Sequence, residues 1–205
     1  MKKSLGSILI ALAGFSCLSW ALTANAADSE GRYAVKGAGG IVCKQLADVV
    51  AKKDERTLLL LGWLEGYITA ANRHTDKLFD ATPWQRVELL AELLTVHCQN
   101  RPDQPVYVAV ELMLGAMKST SLKTQSPVET VDIGDGKKLE IYREIMRMAQ
   151  QRLIDLGHLT GTADGKYGPK TASGFKSFQR SIGLDTNGLP DQATLLNLFR
   201  GLFGS

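Results

Sequence analysis

Cysteine is scarce in this 205-residue chain: Cys17, Cys43 and Cys98 are its three, and no two of them form a Cys-x-x-Cys pair. That spacing argues against a thiol oxidoreductase centre and against a cysteine-based zinc site. Histidine is equally sparse, with His74, His97 and His158 and no His-x-x-x-His pair. Nothing in the pattern gathers a nucleophile, its base and an orienting carboxylate, so the expectation is a protein without catalytic residues, metal or cofactor. Charge of one sign is also lacking. The formal net charge is +3, and Lys2 and Lys3 belong to the amino-terminal leader described below. A nearly neutral mature chain disfavours nonspecific nucleic-acid binding. After Leu22 no segment is apolar for long enough to cross a bilayer.

The leader has the layout of a signal peptide. Lys2 and Lys3 precede an apolar stretch from Leu5 to Leu22, and Ala24-Asn25-Ala26 offers small residues where signal peptidase reads, which predicts cleavage before Ala27. Residues 1–26 are then the signal peptide, and the mature chain is exported to the periplasm, where it could be cell-wall associated. An uncleaved anchor is the competing reading. Phe15 makes the surroundings of Cys17 a poor lipidation signal. Loss of the leader leaves Cys43 and Cys98, and an oxidising compartment makes their pairing the default. A bridge closing so long a loop could contribute on the order of 4 kcal/mol on the chain-entropy model.

Residues 33–117 read as a helical domain. After the flexible Gly37-Ala38-Gly39-Gly40 opening, Val42, Leu46, Val49 and Val50 line one face of an amphipathic helix bordered by Cys43. The run from Arg56 to Asn72 is almost continuously apolar, which predicts a central helix buried on more than one side; the spacing of Gly62 and Gly66 would admit a neighbouring helix. Thr82-Pro83 reads as the start of a third helix ending near Cys98, and Pro105 opens a fourth apolar segment through Met117. Trp63, Tyr67, Trp84 and Tyr107 either fill the core, or Trp84 and Tyr107 are exposed together as a protein-binding surface.

The arrangement of Cys43, Trp63 with Gly66-Tyr67, and Cys98-Gln99-Asn100-Arg101-Pro102 resembles the HdeA/Rap1a-like group of periplasmic helical domains. The resemblance implies a disulfide-tied four-helix fold and, as alternative activities, an acid-stress chaperone or an immunity inhibitor of a cell-wall amidase.

Residues 118–140 read as a linker or a short hairpin around Asp135-Gly136. Residues 141–205 predict three short helices: one ending at Gly157, one opened by Pro169 with Phe175 and Phe178 facing inward, and one starting near Asp191. A near-repeat supports this layout. Asp164-Gly165 precedes Thr171 by the interval at which Asn187-Gly188 precedes Thr194, so each pair can form a tight turn feeding a helix.

Gln150 with Leu153, Leu156-Gly157, Asp164-Gly165 with Tyr167-Gly168 and Thr171, Phe178-Gln179, Gly183-Leu184, and then Gly188 and Thr194 resemble the peptidoglycan-binding type 1 family. Gly174-Phe175 departs from the family pattern, which usually has Ala and a smaller aliphatic residue there. The fold class implied is all-α: a disulfide-tied four-helix domain followed by a small three-helix peptidoglycan-binding domain. The resemblance points to Asp164, Lys166, Tyr167 and Gln179 as ligand-binding residues, with hydrogen bonds from Asp164 and Gln179, a carboxylate contact from Lys166 and an apolar cover from Tyr167. The structural alternative has Asp164 fixing its own turn and Tyr167 packing inward. The expected function is a noncatalytic periplasmic adaptor bound to peptidoglycan, with a possible protein partner through the first domain, no nucleic acid and no stable membrane insertion after cleavage.

Overall fold

The computed structural model describes residues 28–134 and 137–202. The signal-peptide expectation, Cys17 and the Asp135-Gly136 turn lie outside the described residues. The described residues fall into two units, one ending at Ala34 and one beginning at Val35. In the first, the Asp28 carboxylate accepts from the backbone N–H groups of Glu30 and Arg32. The second holds two hydrophobic cores.

Helices α1 (Cys43–Lys52), α2 (Glu55–His74), α3 (Val87–Gln99) and α4 (Val106–Ala116) enclose the first core. Leu46, Leu60, Leu64, Leu94, Val106 and Val110 are fully buried there, and burying such side chains contributes about 1.5–3 kcal/mol each before entropy is counted. Cys43 and Cys98 are bonded and join the start of α1 to the end of α3, as expected. Asp54 starts α2 by accepting a hydrogen bond from the Arg56 N–H at 2.9 Å, satisfying a donor the first turn leaves open.

The central helix is less enclosed than its composition suggests. Leu60, Leu64 and Ile68 face the core, whereas Leu58 and Leu59 are 70% and 69% exposed. A bundle of this size touches α2 along one stripe, so the surplus leucines reach solvent. Nothing lies within 4 Å of a Cβ built on Gly62 or Gly66, so no neighbouring helix uses that spacing among the described residues. The glycine-rich opening, read as flexible, is a 3-10 turn over Gly37–Gly40. Gly39 is buried, and a Cβ built on it would sit 2.0 Å from the Trp63 ring. The indole lies on bare backbone.

The second core is formed by strands β1 (Val128–Gly134) and β2 (Lys137–Tyr142), an antiparallel hairpin, and helices α5 (Arg143–Asp155), α6 (Pro169–Ser181) and α7 (Gln192–Phe199). The segment read as a linker or hairpin is thus a hairpin, and it escapes the marginal stability of two lone strands by burying Val131 and Ile141 against the helices. Phe175 and Phe178 face inward as expected. Gly174 stands close to the carbonyl of His158 and the Cβ of Leu159, each 3.2 Å from a Cβ built on it, so this departure from the family pattern makes room for Leu159 beside the larger Phe175.

Trp84 belongs to this second core. It is 7% exposed, and its ring centroid lies 5.6 Å from that of Phe199. The Gln192 carboxamide holds the same segment, accepting from the Arg86 N–H at 2.9 Å and donating to the Trp84 carbonyl. Reaching these partners requires an extended chain, so α3 starts at Val87 rather than at Thr82-Pro83. An exposed surface shared by Trp84 and Tyr107 is excluded by that burial.

Replacing Gly39 with Ala is expected to lower unfolding stability by about 1–3 kcal/mol through the clash with Trp63. Gly40→Ala, whose Cβ meets nothing within 4 Å, is the control, and urea unfolding of both variants checks the difference.

Candidate functional site

A buried carboxamide must satisfy one oxygen and one NH2 group, and two such side chains organise the C-terminal domain. Gln150, on α5, is 2% exposed. Its Oε1 accepts from the Gly165 N–H at 2.7 Å, and its Nε2 donates to Asp164 Oδ1, the Lys166 carbonyl and Thr171 Oγ1 at 3.0, 2.9 and 3.0 Å. Gln179, on α6, repeats the pattern one helix later with 0% exposure. Its Oε1 accepts from the Gly188 N–H at 2.8 Å, and its Nε2 donates to Asn187 Oδ1, the Leu189 carbonyl and Thr194 Oγ1 at 2.7, 3.1 and 2.9 Å.

Each turn also closes on itself. Asp164 Oδ1 accepts from the Lys166 N–H at 2.9 Å, and Asn187 Oδ1 from the Leu189 N–H at 2.8 Å. Gly165 and Gly188 have φ of +74° and +78°, which a side chain would oppose. A Cβ on Gly165 would also come within 2.6 Å of the Arg143 carbonyl. The near-repeat read in the sequence is therefore a repeated hydrogen-bonding device: an Asx-Gly turn, a threonine in the next helix, and a glutamine from the preceding helix inserted between them.

The first turn forms one edge of an open groove of about 400 Å³. Asp164, Lys166 and Tyr167 line it together with Thr160, Thr162 and Lys170, and Gln150 and Thr171 contribute to its wall. Lys166 and Lys170 are exposed. The Lys166 N–H, and then the Gln150 amide, hold the Asp164 carboxyl below its ordinary range. Burial raises the Tyr167 phenol, whose Oη donates to the Gly188 carbonyl at 2.8 Å and so ties the first turn to the second. Behind the turn, the Tyr167 N–H donates to Glu129 Oε1 at 3.2 Å, while Glu129 Oε2 meets Arg143 Nη2 at 3.3 Å.

Three of the four residues predicted from the sequence thus share one groove. Gln179 does not. Its carboxamide is buried and fully engaged beneath the second turn, so the expectation that it bonds a ligand gives way to a role in holding Asn187-Gly188. Asp164 fixes its own turn, as the structural alternative had it, and its side chain remains exposed at the groove edge. Thr160 and Thr162, which also line the groove, were passed over because Gly161-Thr162-Ala163 reads as an ordinary variable turn. The hydroxyls flanking Gly161 were the available signal.

Residues 142–198 match the family described as "Putative peptidoglycan binding domain". Helices α5–α7 are a peptidoglycan-binding type 1 domain. The N-acetylmuramoyl-L-alanine amidase CwlM of Mycobacterium tuberculosis is 37% identical over 59 residues, which cover 29% of this chain and 14% of that protein. The chain therefore spans a small part of that relative. No solved structure gives a significant match. Among the described residues there is no cluster of metal-ligating side chains, and no helix is long and apolar enough to cross a membrane.

Gln179→Glu would face three oxygen acceptors with a carboxylate, and a stability loss of about 1–3 kcal/mol is expected in urea unfolding. Asp164→Asn keeps the Oδ1 acceptor, as Asn187 does in the second turn. Because the folded carboxyl is held below its ordinary value of 3.8, its contribution is present above that value and is lost as pH falls through the lowered one. Asp164→Asn should therefore keep the fold at neutral pH and flatten the acid limb of the melting-temperature profile, whereas Asp164→Ala should lower melting temperature at neutral pH.

Proposed function

We propose that this protein is a noncatalytic periplasmic adaptor that holds itself to peptidoglycan through α5–α7. The observation that carries this reading is the coincidence of the family match over residues 142–198 with an open polar groove on the first Asx-Gly turn. Peptidoglycan offers carboxylates, amides and hydroxyls. Lys166 and Lys170 supply positive charge for stem-peptide carboxylates, Asp164 accepts from amides or hydroxyls, and Thr160 and Thr162 serve either partner type. The Tyr167 ring forms a wall of fixed orientation, because its hydroxyl is anchored to Gly188.

The helical bundle has a different part in this proposal. Exposed Leu58 and Leu59 on α2 support a second reading, in which an HdeA/Rap1a-like bundle contacts a protein partner, as an acid-stress chaperone client site or as the face that inhibits a cell-wall amidase. The C-terminal domain would then localise that activity at the wall.

The test is cosedimentation of the full exported chain with insoluble purified peptidoglycan at low salt. The wild-type chain is expected to pellet, and Lys166→Glu combined with Lys170→Glu is expected to weaken binding by about tenfold without loss of melting temperature, because both side chains are exposed. Equal pelleting of the double variant would remove the groove from the proposal, and no pelleting of the wild-type chain would remove the adaptor. For the second reading, Leu58→Ser with Leu59→Ser should abolish suppression of client aggregation at acid pH, or copurification of a secreted amidase, while leaving wall binding intact.

A further inference from the structure

The helical bundle contains a cavity of about 550 Å³ that shares no lining residue with the groove of the C-terminal domain. Its volume falls within the range of small-molecule sites, about 300–1,000 Å³. Ala71 on α2, Leu78 and Ala81 on the following loop, and Leu114 on α4 give it apolar walls. The Tyr67 hydroxyl donates to Glu111 Oε1 at 2.9 Å, which engages the polar end of that ring.

The rim differs from the walls. Lys77, Lys118 and Lys123 stand around the cavity, all exposed, and none forms an ion pair with another described residue. Two of them are brought together by backbone hydrogen bonds between the loop after α2 and the segment after α4. Phe79 N–H donates to the Leu122 carbonyl at 2.8 Å, and Leu122 N–H to the Asp80 carbonyl at 2.8 Å, which sets Lys77 and Lys123 on two clasped strands of chain. The rim carboxylates are Asp76 and Glu111, and Glu111 is engaged by Tyr67. Three lysines thus line the cavity against two acidic residues, Asp76 and Glu111, with Thr75 and Ser121 as its uncharged polar side chains besides Tyr67.

We propose that this cavity binds a single-chain amphipathic anion, an acyl chain ending in a carboxylate. The chain lies against Ala71, Leu78, Ala81 and Leu114, where apolar burial supplies the affinity, and the carboxylate stays at the rim with the lysines, where it remains partly hydrated. A neutral apolar molecule would leave the ammonium groups unused, and a cationic one would meet them as like charges. The inference does not rest on the peptidoglycan reading.

Gly115 provides a direct test. It lines the cavity from α4, and a Cβ built on it meets no heavy atom within 4 Å, so Gly115→Leu projects into open space. Leucine also favours the helix more than glycine does, so loss of binding would not be an unfolding effect. The full exported chain, with its disulfide intact, is titrated with a dansyl-labelled undecanoic acid below its micelle concentration. Saturable, blue-shifted fluorescence is expected, displaced by dodecanoate and not by dodecyltrimethylammonium. Gly115→Leu, and Lys118→Glu combined with Lys123→Glu, are each expected to weaken binding by about tenfold or more, with melting temperature maintained. Absence of saturable binding, unchanged affinity in Gly115→Leu, or equal displacement by the cationic surfactant would each overturn the proposal.

Discussion

A tight turn with a glycine at positive φ leaves backbone N–H and C=O groups that no helix or strand can satisfy, and in the C-terminal domain the glycines of two such turns, Gly165 and Gly188, are buried. A glutamine carboxamide answers that need, because one side chain carries an acceptor and two donor hydrogens on adjacent atoms. Gln150 and Gln179 each use the oxygen for the glycine N–H and the nitrogen for the Asx carboxyl or amide, a backbone carbonyl and a threonine hydroxyl. The turn residues at the groove edge are positioned from these two nodes. The first places Asp164, Lys166 and Tyr167 at the surface, and the second supplies the carbonyl that anchors the Tyr167 hydroxyl.

The nodes are braced from outside the three helices. Glu129 on β1 takes the Tyr167 N–H and the Arg143 guanidinium, so the hairpin acts as a brace for the turn. Trp84 packs against Phe199, and Gln192 holds both sides of that segment, which makes the loop before α3 part of the second core. Loop residues on a rigid scaffold suit recognition of a repeating polymer, since little conformational freedom is lost when the ligand arrives.

The helical bundle follows a different economy. The Cys43–Cys98 bond and the indole of Trp63 lying on Gly39 tie its amino-terminal end, where the chain is short of side chains to pack. With those ends held, four helices close the first core along one stripe of α2 and leave Leu58 and Leu59 outside. Between α2 and α4 the walls do not meet, and an apolar cavity with a basic rim results.

Local chemistry was enough to read most of the elements. Pro169, Asp191 and Gly157 mark helix ends by their own backbone and side-chain limits, and the paired spacing of Asx-Gly and Thr exposed the repeat, because each effect acts over a few residues. The cysteine pairing followed from count and from the exported compartment that the leader sequence predicts. What the glutamines do could not be read, since their partners come from turns that only the packing of α5, α6 and α7 brings within hydrogen-bond reach. The same holds for Trp84, whose helix-like surroundings were overruled by a core contributed by residues a hundred positions later in the chain, and for Gln179, whose polarity suggested a surface role until burial assigned it an internal one. Composition and short-range geometry decided where the chain turns and coils; long-range packing decided which polar groups face solvent and are free to meet a ligand.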